Sequence, residues 1–162
     1  MAVSHLTHAE FLTRFGQVYE ASPWVAEGVW PAAEEGALDD PAALRQALRA
    51  EVDAAPREMQ LALVRAHPEL ASRTRMADAS VREQSGAGLD QCSPEEFADF
   101  QRLNAAYQAR FGFPFIVAVE GLARADILAA LEARLASDPQ TEFATAIAQI
   151  HRIAGFRLAD LA

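Results

Sequence analysis

Apolar residues recur at intervals of three and four along most of this 162-residue chain, which is the spacing of amphipathic helices. Between Pro94 and Arg110, the positions that share one helical face are Phe97, Phe100, Leu103, Asn104 and Tyr107. Four segments begin with a serine or aspartate N-cap followed by proline at the first helical position, namely Ser22-Pro23, Asp40-Pro41, Ser93-Pro94 and Asp138-Pro139. The pattern predicts helices at about residues 8–19, 23–33, 41–53, 56–66, 79–87, 94–110, 124–136 and 139–160.

Residues 113–119 lack helical periodicity and combine aromatic with β-branched side chains. We expect an extended segment that leads into a buried helix, because the sequence offers no second strand to pair with it. Pro114 supports this, since a proline disfavours helical geometry at the residue before it. Pro31, near the end of the second predicted helix, is expected to kink or stop that helix. The predicted fold is all-α, a compact multi-helix bundle in which residues 1–162 form a single domain.

The composition excludes several classes of function. The net charge of −9 argues against nucleic-acid binding, which requires clustered positive charge. All 14 basic residues are arginine, so no lysine can form a Schiff base or carry pyridoxal phosphate. The single cysteine, Cys92, cannot form an internal disulfide, and no cysteine–histidine spacing indicates a metal site. The chain has no long apolar run that could span a membrane and no signal-peptide pattern, so we expect it in the cytoplasm.

His67 is the first candidate for catalysis. It stands where the predicted helix at 56–66 ends, because Pro68 disfavours helical geometry at the preceding residue. The dipole at a helix C-terminus favours the protonated form of a histidine, and histidines titrate near neutral pH, which suits a proton donor. The structural alternative is a side chain that caps the last carbonyl groups of the helix. His5, His8 and His151 have no comparable setting, and we expect them at the surface.

Ser80, Glu83 and Gln84 form a second candidate group. The spacing Ser80-x-x-Glu83 is that of a capping box, in which the two side chains satisfy each other's backbone donors. The same residues, with Gln84, also share one helical face, where a hydroxyl, a carboxylate and an amide could recognise the polar edge of a small ligand. The spacing by itself leaves both alternatives open.

Two further features lie later in the chain. The Phe111–Phe115 run could simply be a turn inserted into the core, or its continuation from Phe115 to Val119 could offer backbone amides to a carboxylate or carbonyl oxygen. On the last predicted helix, Arg157 falls on the apolar stripe. A buried guanidinium without a partner is costly, so we expect Arg157 to meet a carbonyl, a carboxylate or the active site.

Three blocks, in this order, resemble the family of 2-oxo-4-hydroxy-4-carboxy-5-ureidoimidazoline (OHCU) decarboxylases: His67-Pro68-Glu69-Leu70, Ser80-x-x-Glu83-Gln84-x-x-Ala87-Gly88-Leu89, and Asn104-x-x-Tyr107-x-x-x-Phe111-Gly112-Phe113-Pro114-Phe115. The likeness covers nearly the whole chain. The family converts OHCU to (S)-allantoin in the urate branch of purine breakdown. Two departures stand out: the connection between Leu70 and Ser80 is shorter than the family pattern, and Pro31 lies where a helix is expected to continue.

The resemblance implies a decarboxylation without cofactor or metal, with His67 as proton donor, because the conjugated imidazoline of the substrate can itself accept the electron pair. To Glu83 we assign the orientation of the substrate or of the histidine. The resemblance further implies a pocket lined by Pro68, Ser80, Val81, Arg82, Glu83, Gln84, Phe115, Ile116, Val117, Ala118 and Val119, with Arg157 pointing into it. It also implies a homodimer and functional coupling to urate oxidase and 5-hydroxyisourate hydrolase.

Two other functions remain alternatives. One is a helical binding domain of the same fold without activity, in which His67 only caps its helix. The other is a different cofactor-free enzyme that processes an imidazoline with His67 and Glu83 as an acid–base pair. The intact set of His67, Glu83 and Gln84 argues against the inactive domain.

Overall fold

A computed structural model describes the backbone of residues 2–71 and 78–161, and all of their side chains except those of Asp78 and Ala79. Within these ranges the chain contains eight α-helices and no strand, which confirms the all-α prediction. The helices are α1 (His8–Phe15), α2 (Trp24–Glu34), α3 (Pro41–Asp53), α4 (Arg57–Ala66), α5 (Asp78–Gly86), α6 (Pro94–Phe111), α7 (Arg124–Arg134) and α8 (Pro139–Asp160). Short 3-10 helices cover Val3–His5 and Leu89–Gln91. None of the described helices is long and apolar enough to cross a membrane.

Three of the four predicted N-caps are confirmed. Asp40 accepts a hydrogen bond from the Ala43 amide at the start of α3, and Ser93 forms a capping box with Glu96 at the start of α6. Asp138, which precedes α8, accepts from the Thr141 amide at 3.0 Å. Such a cap contributes about 1 kcal/mol, and each one fixes where its helix begins.

The N-terminal part of α2 departs from the prediction. The helix begins at Trp24, so Pro23 occupies the N-cap position, and no side chain caps the helix. The Ser22 hydroxyl donates to the Glu20 carbonyl instead. The prediction of an N-cap at Ser22 is therefore wrong. Pro31 does not stop the helix, which continues to Glu34. The proline removes one backbone donor from the helix without ending it.

The described residues form two compact units. One comprises residues 1–66 together with 151–162, and the other comprises residues 67–150, so that the boundary falls inside α8. The prediction that residues 1–162 form a single domain stays a prediction. The expected shortening between Leu70 and Ser80 concerns a connection that lies mostly outside the described residues.

In the unit formed by residues 1–66 and 151–162, α1, α2, α3 and α4 bury their apolar faces around a common core. The almost fully inaccessible side chains of this core include Phe11, Val25, Leu48, Val52 and Leu63. The helix α2 contacts both α1 and α3. The C-terminal part of α8 contributes Ala154 to the buried residues of this unit.

The unit of residues 67–150 has an aromatic core that begins on α6. Gly112 follows α6 with φ +78°, a left-handed conformation that costs glycine little and that turns the chain back onto its own helix. As a result, the Phe113 and Phe115 rings lie edge-on to Tyr107, at centroid distances of 6.0 and 5.4 Å. Phe143 on α8 closes the cluster against Phe113. This packing holds residues 113–119 in the interior.

Candidate active site

His67 directly follows the last residue of α4, as the sequence predicts, and its side chain is buried with 7% of its surface exposed. Pro68 is the next residue and is half-buried. Two residues further on, the chain turns through Leu70 and Ala71, and Ala71 adopts φ +58°. A left-handed alanine is unfavourable by about 1 kcal/mol, so the turn requires contacts that hold it.

Two side chains supply those contacts. The Gln84 carboxamide on α5 accepts a hydrogen bond from the Ala71 amide at 3.0 Å and lies 3.4 Å from the Glu69 carbonyl, to which it donates. Asn104 on α6 donates to the Leu70 carbonyl at 2.9 Å. The segment that begins with His67 is therefore fixed from two helices.

Gln84 thus already has a structural role, in addition to the substrate-binding role that the resemblance implies. A carboxamide offers two donors and two acceptor lone pairs, so the backbone contacts leave capacity for further bonds. Asn104 was not predicted as a site residue. The signal in the sequence was an amide on the otherwise apolar face of α6, and the amide is buried with 2% of its surface exposed.

The predicted site residues on α5 divide between its two faces. Ser80 and Gln84 are buried, Glu83 is half-buried, and Val81 and Arg82 are exposed. Ser80 is the third residue of the helix rather than the residue before it, so it does not act as the N-cap of a capping box with Glu83. The alternative in which Ser80, Glu83 and Gln84 share a face agrees with the helical geometry. Val81 exposes 45% of its surface, which is unusual for a large apolar side chain.

Residues 113–119 belong to neither a helix nor a strand, as predicted. The expectation that they lead into a buried helix is wrong, because the next helix, α7, begins only at Arg124 and has one exposed face. From Phe115 to Val119, every residue is buried except Val117, which is half-buried. The Ala118 amide donates to the Gln149 carboxamide at 2.9 Å, and the Ile116 carbonyl accepts a hydrogen bond from Arg134 at 2.5 Å. Between described residues, the amides of Ile116, Val117 and Val119 donate to no protein acceptor. Buried amides without acceptors are suited to binding an anionic or carbonyl oxygen.

Arg134 belongs to a buried ionic network that sequence reasoning did not find. Its Nε donates to the Glu142 carboxylate at 2.5 Å, and Glu142, with 1% of its surface exposed, also accepts from the Tyr107 hydroxyl at 2.5 Å. The Arg134 guanidinium lies 4.4 Å from the centroid of the Phe115 ring. Burial raises the pKa of Tyr107, which keeps the phenol protonated and donating. The signal in the sequence was a charge on the α7 stripe that contains Ile127 and Leu131.

Arg157 lies in the other unit, at the C-terminal end of α8, and is buried with 7% of its side chain exposed. It forms an ion pair with Glu20 at 2.9 Å, and Glu20 is also buried, with 5% exposed. Its guanidinium further donates to the carbonyls of Gln17 and Val18 at 3.4 and 3.5 Å. The expectation that Arg157 meets a carbonyl or carboxylate is confirmed. Its place in the substrate pocket stays a prediction.

His151 corrects another expectation, since it is buried with 6% of its surface exposed rather than at the surface. Its Nδ1 lies 2.7 Å from the Tyr19 hydroxyl and its Nε2 lies 2.8 Å from the Asp53 carboxylate. Burial raises the pKa of Tyr19, so the phenol donates to Nδ1 and the proton of the neutral imidazole sits on Nε2, facing Asp53. Burial also lowers the pKa of His151, against the opposing effect of Asp53. His5 and His8 are exposed, as expected.

Among the described residues, no three histidine, cysteine, aspartate or glutamate side chains converge as ligands of a metal ion would. The polar groups that the structure offers are a buried imidazole at His67, the amides of Gln84 and Asn104 that bond to the segment after it, and the backbone amides of residues 116, 117 and 119.

Comparison with known proteins shows the family to which the chain belongs. The family model for OHCU decarboxylase matches residues 4–159. The chain belongs to the OHCU decarboxylase family. It is 45% identical over 158 residues to 2-oxo-4-hydroxy-4-carboxy-5-ureidoimidazoline decarboxylase from Haloferax volcanii, a match that covers 98% of this chain and 92% of the relative.

Two longer proteins also match the chain. The chain is 45% identical over 146 residues to the uric acid degradation bifunctional protein PucL from Bacillus subtilis, covering 90% of this chain and 29% of that protein. The crystal structure of (S)-allantoin synthase superimposes with a TM-score of 0.80 at 32% sequence identity. That match covers 98% of this chain and 52% of the other, so the OHCU decarboxylase fold here corresponds to about half of the longer molecule.

Proposed function

We propose that this chain decarboxylates OHCU to (S)-allantoin without a cofactor, with His67 as the proton donor. The observation that carries the proposal is the setting of His67. The imidazole is buried at the end of α4, at the start of a segment fixed by Gln84 and Asn104, in a chain that matches the OHCU decarboxylase family over residues 4–159. A proton donor with a fixed position can protonate one face of a planar intermediate selectively.

The chemistry requires only groups that the chain and the substrate supply. Breaking the bond to the carboxylate releases CO2 and leaves an electron pair on the ring carbon, and the conjugated imidazoline delocalises that pair as enolate-like charge. The proton from His67 forms the new C–H bond, and solvent returns a proton to the neutral imidazole. Because the uncatalysed reaction in water gives a racemate, the product configuration reports on placement by the protein.

The remaining site residues have proposed roles in binding. Glu83, half-buried on the face that carries Ser80 and Gln84, orients the substrate or His67. Ser80 and Gln84 hold the heterocycle, and the unused amides of Phe115–Val119 hold an oxygen of the ring or of the ureido group. Arg157 assists with the anionic charge of the substrate, and its ion pair with Glu20 limits the orientations of its guanidinium.

The test is to add the purified chain to freshly generated OHCU and to follow circular dichroism for (S)-allantoin. The parent protein should produce a dichroic signal that the spontaneous reaction lacks. His67→Asn should keep the fold, because asparagine can still cap carbonyl groups, and should lower turnover by about 10²–10⁴-fold. A parent protein that leaves the product racemic would instead favour an inactive helical binding domain, and a fully active His67→Asn would exclude His67 as the donor.

We also propose that the chain acts in the cytoplasm, as a homodimer, after urate oxidase and 5-hydroxyisourate hydrolase. The match to part of a uric acid degradation bifunctional protein supports the coupling, because a shared chain places two activities together. Sedimentation equilibrium would test the dimer. Turnover of urate to (S)-allantoin, with the two upstream enzymes added, would test the order of the steps.

A further inference from the structure

The Ile116–Val117 peptide unit is fixed from one side by a charged group. Its carbonyl accepts a hydrogen bond from the Arg134 guanidinium, while the following amide, that of Ala118, donates to Gln149. A trans peptide directs its carbonyl and its N–H to opposite sides. The bond from Arg134 therefore points the Val117 N–H away from Arg134.

The Val117 N–H is available to a ligand. Val117 is the half-buried residue of an otherwise buried segment, and its amide has no acceptor among the described residues. A hydrogen bond from a cation to a carbonyl polarises the whole peptide unit, so its N–H becomes a stronger donor. An oriented and polarised N–H of this kind is suited to stabilising negative charge on an oxygen atom.

Stability alone does not account for Arg134. Its Nη2 is buried and has no hydrogen-bond partner in the part of the chain that the structure describes. Buried ion pairs contribute little net stability, and apolar replacements are often as stable. What the guanidinium adds is a fork of donors that reaches the Glu142 carboxylate and the Ile116 carbonyl together.

We propose that Arg134 is a positioning residue that orients and polarises the Ile116–Val117 peptide unit, so that the Val117 N–H donates to the substrate oxygen on which negative charge accumulates during decarboxylation. This inference rests on the proposed function, and it adds a residue outside the pocket to the machinery of that reaction. The Glu142 carboxylate holds Arg134 in turn, because it accepts hydrogen bonds from both the Arg134 guanidinium and the Tyr107 hydroxyl.

The decisive variant removes the charge of both partners. Arg134→Met alone strands the Glu142 carboxylate and should lower Tm. In Arg134→Met/Glu142→Gln, the glutamine can still accept from Tyr107 and the methionine still covers the Phe115 ring, so Tm should recover to within a few degrees of the parent. Because the peptide stays unanchored, kcat should remain about 10- to 100-fold low while KM changes by less than about threefold.

A second variant and a matched control complete the test. Arg134→Lys keeps a charge beside Glu142 but lacks the planar fork, so it should fold normally and still lose about 10-fold or more in kcat. Arg110→Met is the control, because Arg110 also donates to a carbonyl, that of Ser137 at 2.8 Å, and lies over a ring, that of Phe111. Its kcat should match the parent.

A spectroscopic readout tests the geometry without turnover. In valine-labelled protein, the Val117 amide proton should shift upfield in Arg134→Met/Glu142→Gln and stay unchanged in Arg110→Met, because it loses the polarisation from the guanidinium. Parent-like kcat in the double variant, or an unmoved Val117 resonance, would overturn the role of Arg134. A parent chain without activity on OHCU would overturn the proposed function instead, and the Val117 resonance would still decide whether Arg134 orients the peptide.

Discussion

Replacing Asn104 with leucine should separate the positioning of His67 from the stability of the fold. The Asn104 carboxamide donates to the Leu70 carbonyl, but its own Oδ1 is buried without a partner among the described residues. Leucine has a similar volume, so Asn104→Leu creates little cavity on α6. The variant removes a bond that helps to fix the segment after His67.

The stability change is the difference between two opposing effects. Leaving the Leu70 carbonyl unpaired costs about 1–3 kcal/mol, and removing a buried acceptor that has no donor gains about the same amount. The net change should therefore stay within about 1.5 kcal/mol, or roughly 5 °C in Tm for a chain of this size. Asn104→Asp should behave differently, because a buried carboxylate faces the Leu70 carbonyl without a proton to donate, and should cost several kcal/mol.

Activity should respond to Asn104→Leu much more than stability does. A displacement of about 1 Å in a catalytic group can cost about 10²-fold, so we expect kcat/KM for OHCU to fall by about 10- to 100-fold. Thermal melting and the circular-dichroism assay measure the two quantities on the same sample. Gln108→Leu, an exposed amide replaced on the same helix, is the control. A variant with parent-like kcat/KM, or one that melts more than about 10 °C early, would refute this reasoning.

Three further predictions concern other polar groups. Glu83→Gln should lower kcat by about 10²-fold with little change in Tm if the charge orients His67 or the substrate, whereas full activity would remove Glu83 from the site. Arg157→Met should lower the free energy of unfolding by about 3–5 kcal/mol, because it leaves the buried Glu20 carboxylate without its cation. Adding Glu20→Gln should restore much of the Tm, and a KM that stays raised in this double variant would then report a role of Arg157 in substrate binding. Because the folded-state pKa of His151 is lowered, the stability that it contributes is complete above pH 6.5 and is lost as pH falls below that value. The Tm difference between pH 7.5 and pH 5.5 should therefore be larger for the parent than for His151→Gln, and equal differences would contradict the buried neutral imidazole.

The features that the sequence predicts correctly are those with local causes. Asp40 and Ser93 cap their helices by bonding to amides three residues away, so spacing alone reveals them. His67 follows a helix because Pro68 is its neighbour. Ser22 fails as an N-cap because its hydroxyl finds the Glu20 carbonyl, an alternative that spacing does not exclude.

The features that the sequence misses depend on distant partners. Asn104 bonds to a carbonyl 34 residues away, and His151 bonds to an aspartate 98 residues away. Residue spacing contains no information about such distances, so His151 looked like a surface residue. For Arg157 the sequence predicts that a buried guanidinium needs a partner, because burying it alone is costly in any protein. The sequence does not identify Glu20 as that partner.

A physical rule connects the residues that were missed. Helices satisfy their own backbone, but the segments 67–71 and 113–119 are not helical, and their buried carbonyls and amides need side-chain partners. Those partners must come from the faces of helices that look apolar, which is where Asn104 and Arg134 lie. In an all-α protein, a polar residue on an apolar stripe is therefore evidence for an irregular segment packed against it. Because a helix has few unused backbone groups, such segments are also where backbone amides remain available to a substrate.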